Sequence, residues 1–142
     1  MTTVGEEVLT HLRAAASEDC RIVVSTVYDP SDGTGEIATA GLPAWPDGLA
    51  LIRTLNTTLV DLAHRHGAMA ADVHGRFLGH GVAAGDPAQT DARPTNDNLW
   101  YCGVIEPNAW GAAQIRRTWD GTTPTGDPLN SSTARTPEPI AA

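Results

Sequence analysis

One run of residues, Ile22-Val23-Val24-Ser25-Thr26-Val27-Tyr28, constrains the fold of this chain more than any other stretch. It is β-branched almost throughout. A short continuous apolar run of this kind predicts a strand over residues 21–28, buried on both faces of a parallel sheet. Asp29-Pro30-Ser31-Asp32-Gly33-Thr34-Gly35 stops it with turn-forming residues. A long connection over 29–47 follows, punctuated by Gly41, Pro43, Pro46 and Gly48, with Trp45 expected to pin it to the body. Connections of this length often carry binding loops or lids. Leu49, Ile52, Leu55, Leu59, Leu62 and Ala63 then step along one face, predicting a helix over 48–66 with Gly67 as its C-terminal cap. Residues 68–73 predict a second, weaker strand. Strand, connection with helix, and parallel strand form a right-handed βαβ unit.

The remaining elements are simpler. Val4, Val8, Leu9 and Leu12 predict a first helix over 4–16, extended by three alanines. Residues 82–98, rich in Asp, Pro and Asn, read as loop. Leu99 to Ala112 reads as an approach loop turning into a helix that runs to about Trp119. Pro107 suits the first helical position, and Glu106 or Asn108 can cap the free amides there. Gly111, Ala112 and Ala113 would let that helix lie close to a sheet. Residues 1–120 thus form one α/β domain, and 121–142, dominated by Thr, Pro, Ser and Gly, an expected disordered tail.

Composition excludes several functions. The net charge of −8 argues against general nucleic-acid binding, which needs a basic face. There is no 18-residue apolar run, so no membrane span is expected. With one Phe and two Tyr, aromatic packing is expected to fall on the four Trp. Cys20 and Cys102 lack CxxC or zinc-ligand spacing; they read as two thiols, with a single disulfide open if the chain is secreted. His64 and His66 diverge on a helix and do not make a metal site. No glycine-rich phosphate loop follows the first strand, where acids stand instead. No cofactor is implied. The first residues are too polar for a signal peptide, and the compartment is undetermined.

Glu106-Pro107-Asn108-Ala109-Trp110-Gly111-Ala112 resembles the final block of the SGNH (GDSL-type) hydrolases, which usually reads Asp-x-x-His-Pro-Asn and then Gly. The resemblance extends to Val23–Pro30, to Leu55-Asn56 and to Ala71-Asp72-Val73-His74, covering roughly residues 4–120. It implies a partial flavodoxin-like three-layer α/β/α fold with a parallel sheet, truncated at its N-terminus. It also implies hydrolysis of an ester bond in a lipid, an acylated sugar or a small acyl ester. The chain departs from the family in having neither a Gly-Asp-Ser block nor a Gly-x-Asn-Asp block. Gly103 and Glu106 stand at the family's Asp and His positions. Three explanations follow: a fragment that lacks the N-terminal half carrying the nucleophile, a split hydrolase completed by a second chain, or a stand-alone remnant that self-associates as a homodimer through the open edge of the first strand.

The candidate catalytic residues are His80, Glu106 and Asp72. His80 sits between two glycines after a strand end, free to turn toward a cleft. Glu106 takes the place of the family's base, although a carboxylate at a helix N-terminus is held charged and is a poor base. Asp72 and His74, two apart on an extended segment, would share a side, letting Asp72 orient the imidazole. Asn108, Trp100 and His74 are the candidate substrate contacts. No serine here has a nucleophile's setting: Ser25 lies inside the strand and Ser31 in a turn. A non-catalytic binding or assembly module is the competing reading.

Overall fold

The computed structural model describes residues 4–37, 41–82, 84, 99–103 and 105–122. The expected loop over 82–98 and the tail beyond 122 lie almost wholly outside them. Helix α1 spans Val4–Ala15. Its stripe is only partly used: Leu9 is buried, whereas Val8 and Leu12 remain about half exposed. Arg13 ties α1 down by donating to the carbonyls of Cys20 (3.1 Å) and Gly67 (2.7 Å).

Strands β1 (Val23–Ser25) and β2 (Met69–Ala71) pair in parallel, Val23 beside Met69 and Ser25 beside Ala71. The architecture is α/β, a mixture of helices with a small parallel sheet. Both strands are shorter than predicted. The ladder extends one bond at each end, Met69 N–H to Ile22 O and Thr26 N–H to Ala71 O. Beyond it, Val27 finds a side chain instead of a strand: Asn56 Oδ1 accepts its N–H at 2.7 Å and Asn56 Nδ2 donates to its carbonyl at 2.9 Å. Nor is β1 buried on both faces. All three of its residues are half-buried, because it has one strand neighbour among the described residues.

Helix α2 (Gly48–Arg65) packs on both strands and buries Asn56, Leu62 and Ala63. It ends as its sequence requires. Gly67 takes φ +61°, and Ala68 N–H returns to Ala63 O at 2.8 Å, satisfying a carbonyl that the last turn leaves open. After β2 the chain turns at once into a short helix, α3 (Val73–Phe77), with Asp72 as its N-cap. The expectation of an extended segment through His74 is corrected here. Asp72 Oδ1 accepts the Gly75 N–H at 2.9 Å, and that capping bond starts a helix where the pattern suggested strand.

The expected approach loop before the last helix is a small antiparallel hairpin. Strand β3 (Tyr101–Cys102) pairs with β4 (Glu106–Pro107), turning through Gly103 at φ +65°. Helix α4 (Ala109–Gly121) begins after Asn108, which is the cap. Pro107 therefore belongs to β4 and not to the first helical turn. Gly111 does allow a close approach, though not to the parallel sheet: a Cβ there would overlap the Trp100 carbonyl and stand 3.4 Å from the Phe77 ring.

The core lies between α3, the hairpin and α4, where Val73, Phe77, Trp100 and Tyr101 are buried with Tyr28 and Ile115 against them. Tyr28 stacks on Phe77 with centroids 4.9 Å apart; Tyr101 and Trp100 meet the same ring edge-on. The expectation that tryptophans would supply the aromatic packing is thus corrected. The single Phe and both Tyr are central, while Trp45, Trp110 and Trp119 stay about half exposed. Cys20 and Cys102 are exposed and free, with no disulfide between them.

Candidate functional site

The turn after β1 is built on two buried carboxylates. Asp29 folds the turn on itself: Oδ1 accepts from the Ser31 N–H (2.9 Å) and hydroxyl (2.6 Å), and Oδ2 from the Gly33 N–H (2.9 Å). Ser31 Oγ in turn accepts the Gly35 N–H at 2.9 Å. Asp32, at φ +50° and 2% exposed, reaches across the fold instead. Its two oxygens accept the N–H groups of Gly79 (3.1 Å) and Gly81 (2.9 Å), on either side of His80. The glycine at 81 is required there, because a Cβ would overlap the Pro30 carbonyl and crowd the Asp32 carboxylate.

That arrangement decides the place of His80. The glycines do not free it to swing; they fit it tightly under Asp32. His80 is 2% exposed and stacks nearly parallel, at 15°, on Trp100. Trp100 N–H also bonds to His80 O at 3.0 Å. Both residues belong to the packed interior, so the expectation that His80 is free to turn toward a cleft is corrected.

The other candidates are dispersed. Asp72 caps α3 and lies 3.3 Å from the Thr26 hydroxyl. It does not orient His74. The His74 N–H donates to Thr26 Oγ1 at 2.8 Å, and its Nδ1 faces Val27 O at 3.2 Å. Asn108 is fully engaged: Oδ1 accepts from Trp110 N–H and Gly111 N–H, both at 3.0 Å, and Nδ2 donates to Leu99 O at 2.7 Å. Glu106 is exposed, and its Oε2 accepts the Ile105 N–H at 3.2 Å. It does not cap α4.

Beyond the carboxyl end of β1, where open sheets bind ligands, lies an apolar cleft of about 250 Å³. Ile37, Leu42, Trp45, Leu49 and Ile52 wall it, and Ile105 closes one side. Asp29 and Ser31 add polar groups to the lining. The volume falls below the roughly 300–1,000 Å³ typical of drug-sized ligands, which suits a short acyl chain or a small ring. Trp45 lies over Gly48, the first residue of α2, where any Cβ would strike the indole. Tyr28 hydroxyl holds the hairpin turn against the core by donating to Ile105 O at 2.9 Å. Burial first, and then the nearby Glu106 charge, raise the Tyr28 pKa above the ordinary tyrosine value. None of the six sequence candidates is among the residues that line this cleft; Glu106 is only the chain neighbour of the lining residue Ile105. His74 borders a small adjoining void with Asp29, Leu49 and Ile52.

Sequence reasoning did not find the roles of three residues. Asn56 completes the end of β1, Asp32 organises the His80 loop, and Tyr101 hides a hydroxyl. Tyr101 Oη is buried with no hydrogen-bond partner among the described residues. Burial, then the Asp32 charge, drives its pKa strongly upward. The Asp32-Gly33 turn was readable as a turn, but nothing local shows that its carboxylate serves residues 47 and 49 positions away. No group of three or more His, Cys, Asp or Glu that could hold a metal ion occurs among the described residues. No helix among the described residues is long and apolar enough to cross a membrane. No protein-family model matches this sequence, and neither curated proteins nor solved structures show a significant similarity to it.

Proposed function

We propose that this chain is the cleft-forming part of an SGNH-type ester hydrolase, binding the acyl group of a small ester. The supporting observation is the apolar cleft beyond β1, the usual place for a ligand in an α/β sheet. In this reading Glu106, the chain neighbour of the lining residue Ile105, serves the ester carbonyl. The nucleophile comes from a segment that pairs with the open edge of β1 and extends the two strands into a flavodoxin-like three-layer sheet. The hydroxyl of Ser31 does not serve, since it donates to Asp29 and accepts from Gly35. A butyryl anilide, which resembles a short ester but resists hydrolysis, should shift the methyl resonances of Ile52 and Ile105 saturably. Leu49→Trp, which fills the cleft, should abolish the shift. p-Nitrophenyl butyrate should not turn over above background with this chain alone. Absence of saturable binding would refute the cleft assignment.

A second reading, a non-catalytic binding or assembly module of the same fold, is favoured by one observation. Asp72 and Asn108 are committed to helix caps, and His80 is sealed in the core. In that case the cleft binds the anilide but Glu106→Gln changes no reaction, even when the β1 edge is completed by an added serine-bearing strand.

A further inference from the structure

All nine basic residues of this acidic chain are arginine. Several are matched by acids or carbonyls: Arg65 lies 3.2 Å from Glu6, Arg116 lies 3.6 Å from Asp120, and Arg13 binds two carbonyls. Two others share one open pocket of about 470 Å³ where α3 meets α4. Arg76 and Arg117 line it, with Asp72, Gly75 and Thr118. It has no lining residue in common with the apolar cleft.

Arg76 is fixed by neutral groups. Its Nε and Nη2 both donate to Gln114 Oε1, at 3.1 and 2.6 Å, and its guanidinium carbon lies 5.4 Å from the centre of the Trp100 ring. Gln114 is itself 4% exposed, so this support is part of the core. A buried amide and a ring face hold the cation in place without cancelling its charge. A buried carboxylate would have done both. Arg117 pairs with no carboxylate among the described residues, although its neighbour Arg116 does. Asp72, the acid in the lining, spends its carboxylate on the α3 cap and on Thr26. Two guanidiniums against one carboxylate leave the pocket positive on a chain of net charge −8. Guanidinium presents paired donors that match the oxygens of phosphate or carboxylate.

We infer that this pocket binds a small oxyanion group, with Arg76 as the preorganised ligand and Arg117 as the second. The inference is independent of the ester-hydrolase reading. Its test is an NMR titration of the full chain with sodium phosphate and, in a parallel arm, sodium acetate, against sodium chloride at matched ionic strength. The Arg76 Nε–H resonance should shift saturably in at least one arm and not in chloride. Saturation with phosphate alone assigns a tetrahedral oxyanion; saturation with acetate assigns a carboxylate. Arg117→Gln, an exposed change, should weaken binding about tenfold or more, as expected for one charge-assisted hydrogen bond. Gln114→Glu keeps the acceptor but gives Arg76 a carboxylate, and should abolish binding. Shifts that merely follow ionic strength, or saturable binding that survives Arg117→Gln, would overturn the assignment. Should Gln114→Glu disturb the fold, the Arg117→Gln arm decides alone.

Discussion

Replacing Asn108 separates a structural from a catalytic role at the residue where the sequence resemblance is strongest. Asn108 does two jobs. Its Oδ1 takes the first free amides of α4, from Trp110 and Gly111, and its Nδ2 donates to Leu99 O, fastening the segment before the hairpin. Losing an N-cap side chain costs about 0.5–2 kcal/mol. Losing a further intramolecular hydrogen bond costs about 0.5–1.5 kcal/mol. Asn108→Ala should therefore destabilise by roughly 2 kcal/mol, a fall in Tm of about 8–16 °C for a domain near 100 residues. Asn108→Ser restores the capping oxygen but not the Leu99 bond, so it should recover about half of that loss. The assay is urea unfolding followed by far-UV circular dichroism, comparing midpoints at an unchanged slope. An Asn108→Ala variant within 0.5 kcal/mol of wild type, on the order of an ordinary surface change, would refute the capping argument. So would a Ser variant no better than Ala.

Other consequences follow from the buried polar groups and the close contacts. Tyr101→Phe removes a hydroxyl that has no partner among the described residues, so it should be neutral or about 1 kcal/mol stabilising near pH 8. The folded-state pKa of Tyr101 is raised above the ordinary value of 10.0, so its contribution is intact below that pH and is lost as pH rises above it. Wild type should lose stability above that pH more steeply than Tyr101→Phe in urea titrations, and equal slopes would count against the assignment. Gly81→Ala pushes a methyl into the Pro30 carbonyl and should cost about 1–3 kcal/mol or more. Gly48→Ala meets only the half-exposed Trp45 ring, so calorimetry should find it within about 1 kcal/mol of wild type, and the displaced indole should weaken acyl binding. Asn56→Leu leaves the Val27 N–H and carbonyl without their partners and should cost about 2–4 kcal/mol, with early loss of hydrogen-exchange protection at Val27.

Local chemistry carried much of the fold. The helix over 48–66 was legible because its apolar period and its terminal Gly67 are local signals, although Leu55 of that stripe is exposed and Asn56 is buried in its stead. The two parallel strands were legible in place and direction but not in length, because strand length depends on neighbours that a single sequence does not display. Asp72 shows the competition clearly. Ala71-Asp72-Val73 reads as strand, yet one capping bond to Gly75 turns it into a helix. The six candidate site residues were chosen for their chemistry, and chemistry alone does not say whether a side chain faces a cleft or a core. His80 lies under Asp32 because of two hydrogen bonds across the fold, and Arg76 was passed over because its partner Gln114 is 38 residues away. The aromatic core failed for a related reason. Residue counts favoured the tryptophans, but what decides packing is which rings sit on α3, the hairpin and the end of β1.

The contacts that close this fold join distant parts of the chain. Thr26 meets Ala71 across 45 residues, Asp32 meets Gly81 across 49, and Tyr28 meets Ile105 across 77. Loop closure on that scale must be met before those bonds form, and a topology dominated by such contacts folds slowly. During synthesis, β1 emerges well before the strand, the carboxylate's amides and the hairpin that will satisfy it. Its half-buried apolar edge therefore spends the time needed to make about 45 further residues, a few seconds at ordinary translation rates, as an unpaired template. Any strand that reaches it in that interval competes with the chain's own β2, so the order in which segments leave the ribosome helps to decide which sheet is built.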